Sequence, residues 1–151
     1  MRLFCHIINM KPYKITEADE DLVEDFITRS ANTHMRGSRS IEEVKEDIRI
    51  GKLGEIAYKD YCGISINDID WKGIVQLDGL DFTHEDGRGI QVKTLREDTK
   101  WCTFYDWKWD VLIALRIVGN EIQLLGEFDK EYLQGVAKPS KWKGWYFYPE
   151  D

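Results

Sequence analysis

The sequence predicts one α/β (α+β) domain in which a mixed β-sheet is flanked by helices. Three observations lead there. A chain of 151 residues suits one hydrophobic core. Apolar residues recur at helical spacing in the first part of the chain and in short strand-like runs in the second. No repeat, linker or low-complexity stretch divides them, so residues 1–151 read as one domain, with a core at about 40–135, an N-terminal helix and an aromatic C-terminal tail.

The elements follow in order. In "TEADEDLVEDFITRSA", Leu22, Val23, Phe26 and Ile27 share a helical face, Thr16 can cap it, and the acidic first turn suits the helix dipole. "SIEEVKEDIRIGKLGEIAYKDYCG" is helical in one or two pieces. Ser40 and Glu43 form a capping-box signature, Gly51 marks a candidate kink, and Gly63 is a plausible stop. Gly51 and Gly54 each cost roughly 1 kcal/mol of helix propensity, which suggests close backbone approach. The runs "GIVQL", "LDFTH", "GIQVKTL", "DVLIALRIVG" and "EIQLLGEF" read as strands, with a tight turn at Gly119-Asn120 between the last two. "DKEYLQGV" is a short helix, and the tail "PSKWKGWYFYPED" offers a final strand.

Hydrophobic residues at 42% and charged residues at 32% are globular proportions, not those of a disordered chain. A net charge of −7 argues against coating nucleic acid through bulk charge. It does not exclude an enzyme whose carboxylates gather around a cation. The three cysteines include no CxxC pair, so reduced thiols in a cytoplasmic protein are expected, not a zinc ribbon. No run approaches a membrane span, and the N-terminal segment lacks the pattern of a signal peptide, so a soluble protein without membrane contact is expected.

One stretch carries residues that folding does not demand. In "LDGLDFTHEDGRGIQVKTL", Leu80, Phe82, Ile90 and Val92 supply the apolar face of a hairpin. Gln91 and Lys93 are two apart and share the other face, and Asp81 points away from Leu80 and Phe82. Parity requires an odd loop or a bulge to bring Asp81 to that face. A three-residue loop at Asp86-Gly87-Arg88 would set Asp81 opposite Lys93 and Thr83 opposite Gln91. A carboxylate, an amide oxygen and a backbone carbonyl, here that of Val92, suit Mg²⁺, and a lysine beside them can orient water or stabilise phosphate charge. The plainer reading is a cross-strand ion pair on a solvated face, stabilising by about 0.2–1 kcal/mol.

The pattern Asp81-x9-Gln91-Val92-Lys93, preceded by "GKLGEIA" on a helix, resembles the PD-(D/E)xK nuclease superfamily, over about Gly51 to Phe128. The resemblance implies a restriction endonuclease-like core and a divalent-metal-dependent DNA endonuclease that uses Mg²⁺, with Mn²⁺ substituting, and no nucleotide cofactor. It assigns the metal-binding aspartate to Asp81, with Asp78 a rival at longer spacing from Gln91, the motif lysine to Lys93 and an accessory helical glutamate to Glu55. Gln91 stands where the family usually has Glu or Asp, and Leu80 where it has Pro. Junction resolvases and exonucleases share that core, and a catalytically silent nucleic-acid-binding module is the alternative outside enzymes. Arg36, Arg39 and Lys52, with Arg88 in the hairpin loop, are candidates for phosphate contact; a solvated charged face explains the first three equally well. Cutting both strands with so small a domain implies a homodimer. The turn residue His84 reads as solvated, "DGLDFTHEDG" fails the calcium-loop pattern at Leu80, and Ser38 and Ser40 lack a G-x-S-x-G context. The Trp and Lys residues of "KWCTFYDWKWD" and the tail fit base stacking or burial.

Overall fold

The computed structural model describes residues 11–30, 39–62, 82–83, 87–141 and 143–150. Within them the chain is a mixed α+β fold of three helices and two sheets. The expected strand "GIVQL" lies outside the described residues.

The chain enters through β1 (Tyr13–Lys14) and turns into α1 (Glu17–Ser30). The expected Thr16 cap is present and reciprocal. The Asp19 amide donates to Thr16 Oγ1 at 3.1 Å and the Thr16 amide donates to Asp19 Oδ2 at 2.9 Å. Tyr13 donates its hydroxyl to the same Oδ2 at 2.7 Å, so that oxygen of the buried Asp19 accepts two hydrogen bonds.

Helix α2 (Ile41–Tyr61) runs through Gly51 as one element, so the candidate break there is not used. Ser40 caps it, accepting from the Glu43 amide. The two glycines differ in purpose. A Cβ at Gly51 would meet nothing within 4 Å, whereas one at Gly54 would fall 1.7 Å from Thr94 Oγ1. Gly54 is where α2 lies directly on the sheet.

The main sheet has the order β1-β6-β5-β3-β2, with β2 (Phe82–Thr83), β3 (Gly89–Leu95), β5 (Val111–Val118) and β6 (Glu121–Asp129). Among the described residues only β3 and β5 pair in parallel; the other neighbours in this sheet are antiparallel. β5 is buried from Val111 to Ile117, as a near-continuous apolar run covered on both faces should be. The expected turn at Gly119-Asn120 joins β5 to β6, with Gly119 at φ 61°. A bulge interrupts that ladder between Ala114 and Leu115.

A second sheet was not foreseen from sequence. β4 (Cys102–Phe104), β8 (Trp145–Phe147) and β7 (Lys138–Pro139) pair antiparallel in the order β4-β8-β7. With α3 (Lys130–Val136), capped by Asp129, this sheet closes the face of the main sheet opposite α1 and α2. Two cores result. Val44, Ile48, Leu53, Ile90, Val92 and Ile113 belong to an aliphatic core under the helices; Phe104, Trp109, Leu112, Leu133 and Phe147 belong to an aromatic one on the other side. No helix among the described residues is long and apolar enough to cross a membrane.

Candidate active site

β3 is the strand that presents the motif. Alternation sends Ile90 and Val92 into the helix-covered core and leaves Gln91 and Lys93 half-buried on the other face, toward the aromatic core. The start of the strand is pinned. Asp110 accepts from the Gly89 amide at 2.8 Å, its own amide donates to the Gly89 carbonyl at 2.8 Å, and its carbonyl accepts from the Lys130 amide at 3.0 Å. One residue thus fixes the origins of β3, β5 and α3. Asp110 opens the strand-like run "DVLIALRIVG", and nothing local in the sequence announces this role.

The hairpin register differs from the expected one. Phe82 pairs with Ile90 and Thr83 with Gly89, so Thr83 does not lie opposite Gln91. Five residues separate Thr83 from Gly89, an odd number, so the parity expectation holds while the three-residue loop does not. Gly87 takes a φ of 89° within that loop. Asp81, the expected metal-binding aspartate, lies outside the described residues, as do Asp78, Arg36 and His84.

Lys93 stands in a row with small residues across the sheet. Its neighbours across the sheet are Ala114 on β5 and, beyond it, Gly126 on β6. A Cβ at Gly126 would come 2.9 Å from the Phe128 ring, so the glycine lets that ring lie down on the sheet. The Lys93 ammonium sits 5.9 Å from the centroid of Tyr105, a ring 70% exposed, within the range of a cation–π contact. Behind it is Cys102, fully buried. Burial pushes its thiol up to about 12, against a smaller opposing pull from the Lys93 charge. Tyr105 could not have been assigned from sequence, since nothing local announces that it meets Lys93.

Glu55 comes from the helix side. It is 7% exposed and pairs with Lys52, Nζ to Oε2 at 3.1 Å, while Lys52 also covers the Phe26 ring at 4.6 Å. α2 packs on the Ile90 and Val92 face of β3, so Glu55 and the Gln91–Lys93 pair approach the sheet from opposite faces. Lys52 and Glu55 line a cleft of about 220 Å³ along α2, together with Arg39, Asp47 and Gly51. Arg39 and Arg96 both bind Asp47, at 2.5 and 2.7 Å, which ties the end of β3 to α2. Neither Asp47 nor Arg96 was singled out in the sequence, because 49 residues separate them. Arg49 is committed to Glu20 and Glu46, joining α1 to α2. Arg88 is half-buried directly before β3.

Among the described residues, no three His, Cys, Asp or Glu side chains cluster as a metal site. Of the residues the motif assigns, Gln91 and Val92 offer an amide oxygen and a backbone carbonyl on β3, while the Glu55 carboxylate lies on the helix-covered side of that strand. All are hard oxygens, which suit Mg²⁺ or Mn²⁺ and not a soft metal. No protein-family model matches the chain, and a search of curated proteins finds no match either.

Proposed function

We propose that the protein is a divalent-metal-dependent DNA endonuclease of the PD-(D/E)xK type. The observation that supports this best is the pair Gln91 and Lys93, half-buried side by side on a strand whose opposite face is core. The Lys93 ammonium lies by the exposed Tyr105 ring and belongs to neither core. The mixed five-stranded sheet with α2 packed across it is compatible with the core that the motif implies.

In this reading Asp81, Gln91 and the Val92 carbonyl would hold Mg²⁺, while Glu55, on the helix-covered face of β3 and paired with Lys52, stays outside that ligand set. The ion would supply neutralising charge at the scissile phosphate and activation of water. Lys93 orients the attacking water and holds positive charge beside the phosphate. Tyr105 restrains the lysine's free end. Arg39, Lys52 and Arg88, with Arg36, contact the DNA backbone. Two such sites in a homodimer would cut both strands.

Calorimetric titration with Mn²⁺ tests the ligand set apart from catalysis. Gln91→Glu adds a carboxylate and should tighten binding of a hard dication. Affinity equal to wild type would remove Gln91 from the ligand set. A supercoiled plasmid should be nicked with Mg²⁺ and left intact with chelator, and sedimentation will show whether the active species is a dimer.

A further inference from the structure

Of the two glycines inside α2, only Gly54 has a packing reason among the described residues. A Cβ there would collide with Thr94, while one at Gly51 would meet nothing within 4 Å. A glycine inside a 21-residue helix lowers its propensity, and one role that justifies it is close approach of a ligand to the backbone. What lies beside Gly51 is the cleft of about 220 Å³. Its apolar wall is Val44 and Ile48, and its polar wall is two ion pairs. Asp47, Gly51 and Glu55 follow at four-residue spacing, so the two carboxylates stand about 12 Å apart along one stripe with Gly51 midway. Asp47 gives one oxygen to Arg39 and the other to Arg96. The Lys52 ammonium lies 3.4 and 3.1 Å from the two Glu55 oxygens.

The Lys52–Glu55 pair is not a solvated surface contact. The Glu55 side chain is 9% exposed and that of Lys52 18%, and the Lys52 ammonium also lies over the Phe26 ring. Desolvating two charges costs about as much as their attraction returns, so such a pair adds little stability. The signs around the cleft are also mixed. A lone anion would meet Asp47 and Glu55, and a lone cation would meet Arg39, Arg96 and Lys52. A molecule that carries both signs close together finds a partner for each. The volume lies below the roughly 300–1,000 Å³ of pockets for drug-sized ligands, so the occupant is small. We propose that this cleft binds a free α-amino acid, its ammonium donating to Glu55, its carboxylate accepting from Lys52, and its side chain lying over Gly51 toward Val44 and Ile48. Head group and ion pair then form a ring of alternating charge. The cleft lies on the helix side, opposite Gln91 and Lys93. In the nuclease reading Lys52 would also contact DNA, so an occupied cleft would compete with that contact; the binding itself rests on no such reading.

Calorimetric titration of the full chain with L-alanine, L-leucine and L-glutamine, in chelator and without DNA, tests the binding apart from any cleavage. At least one should bind saturably, with one site per chain. Its N-acetyl and amide forms, each lacking one of the two charges, should bind about 10- to 100-fold more weakly, as should the parent to Glu55→Gln. Gly51→Ala should raise the thermal midpoint by about 2–4 °C, since the added methyl meets only open space. Gly51→Leu, which alters neither ion pair, should abolish binding while the circular dichroism stays that of wild type; it keeps the test open where Glu55→Gln proves unfolded. No saturable binding of any of the three would overturn the proposal. So would a capped form or inorganic phosphate that binds as tightly as the parent amino acid, or a Gly51→Leu variant that binds as wild type does. Intact amino-acid binding without any cleavage in Mg²⁺ would sink the nuclease reading and leave the cleft standing.

Discussion

The two faces of the main sheet are covered by different chemistry. Under α1 and α2 lie branched aliphatic side chains such as Ile48, Leu53, Ile90 and Ile113. On the other face lie rings in fixed edge-to-face geometry, with Phe104 5.2 Å from Trp109 and Phe128 5.0 Å from Phe147. Aliphatic side chains of similar volume can be exchanged with modest loss, but interlocked rings cannot. The helix side therefore seals the fold. The ring side combines a core with the half-buried Lys93, whose neighbour across the sheet is Ala114 and whose ammonium lies by the exposed Tyr105 ring. Polar side chains can be placed on that face without breaching the aliphatic core.

The largest effect that would sharpen this contrast is on the ring side. Trp109 is 1% exposed and donates its indole N–H to the Asp106 carbonyl at 2.9 Å. Trp109→Ala should cost about 3–5 kcal/mol in urea unfolding, whereas Ile48→Val under the helices should cost about 0.5–1.5 kcal/mol. Equal losses would erase the distinction between the faces.

Next in size is Gly54, where the helix side has its closest approach. Gly54→Ala should cost about 1–3 kcal/mol through the clash with Thr94. Thr94→Ala alone should be nearly neutral, because its hydroxyl is buried without a hydrogen-bond partner. The double variant should be more stable than Gly54→Ala. A strictly additive result would mean that Thr94 is not what Gly54 accommodates.

A smaller effect separates the faces by pH. The Cys102 thiol is raised by burial from 9.0 to about 12. A raised value in the folded state means that its contribution to stability is whole below about pH 9 and is lost as pH climbs toward 12. On the helix side, burial raises Tyr13 and Tyr61 above the ordinary 10.0, so their losses begin about one pH unit later. Wild-type stability should begin to fall near pH 9, and Cys102→Ala should delay that fall. An unchanged onset in the variant would show that the thiol does not control it.

Much of the helix side was legible in the sequence because periodicity writes it there. The stripe through Val44 and Ile48, the caps at Thr16 and Ser40 and the turn at Gly119 are local signals, and local physics honours them. The short strands β1, β4 and β7 have two or three residues each, too few to show a period, and exist through pairing with distant partners. For that reason the second sheet was missed and its aromatic residues could be read either as core or as surface. They are both: Phe104 and Phe147 face in, Trp101 and Tyr148 face out. In the candidate site, alternation along β3 made Gln91 and Lys93 visible. The register of the hairpin, the neighbour Tyr105 and the Asp47–Arg96 tie depend on the fold and leave no local trace.

The claim that Lys93 serves chemistry is tested most directly by Mg²⁺-dependent nicking of supercoiled plasmid with wild type and Lys93→Ala, both verified as folded by circular dichroism. The account predicts nicking by wild type that chelator abolishes, and a loss of about 100-fold or more in the variant, as expected when a group that assists proton transfer is removed. Nicking by Lys93→Ala at the wild-type rate, or none by either protein under any divalent ion, would contradict it.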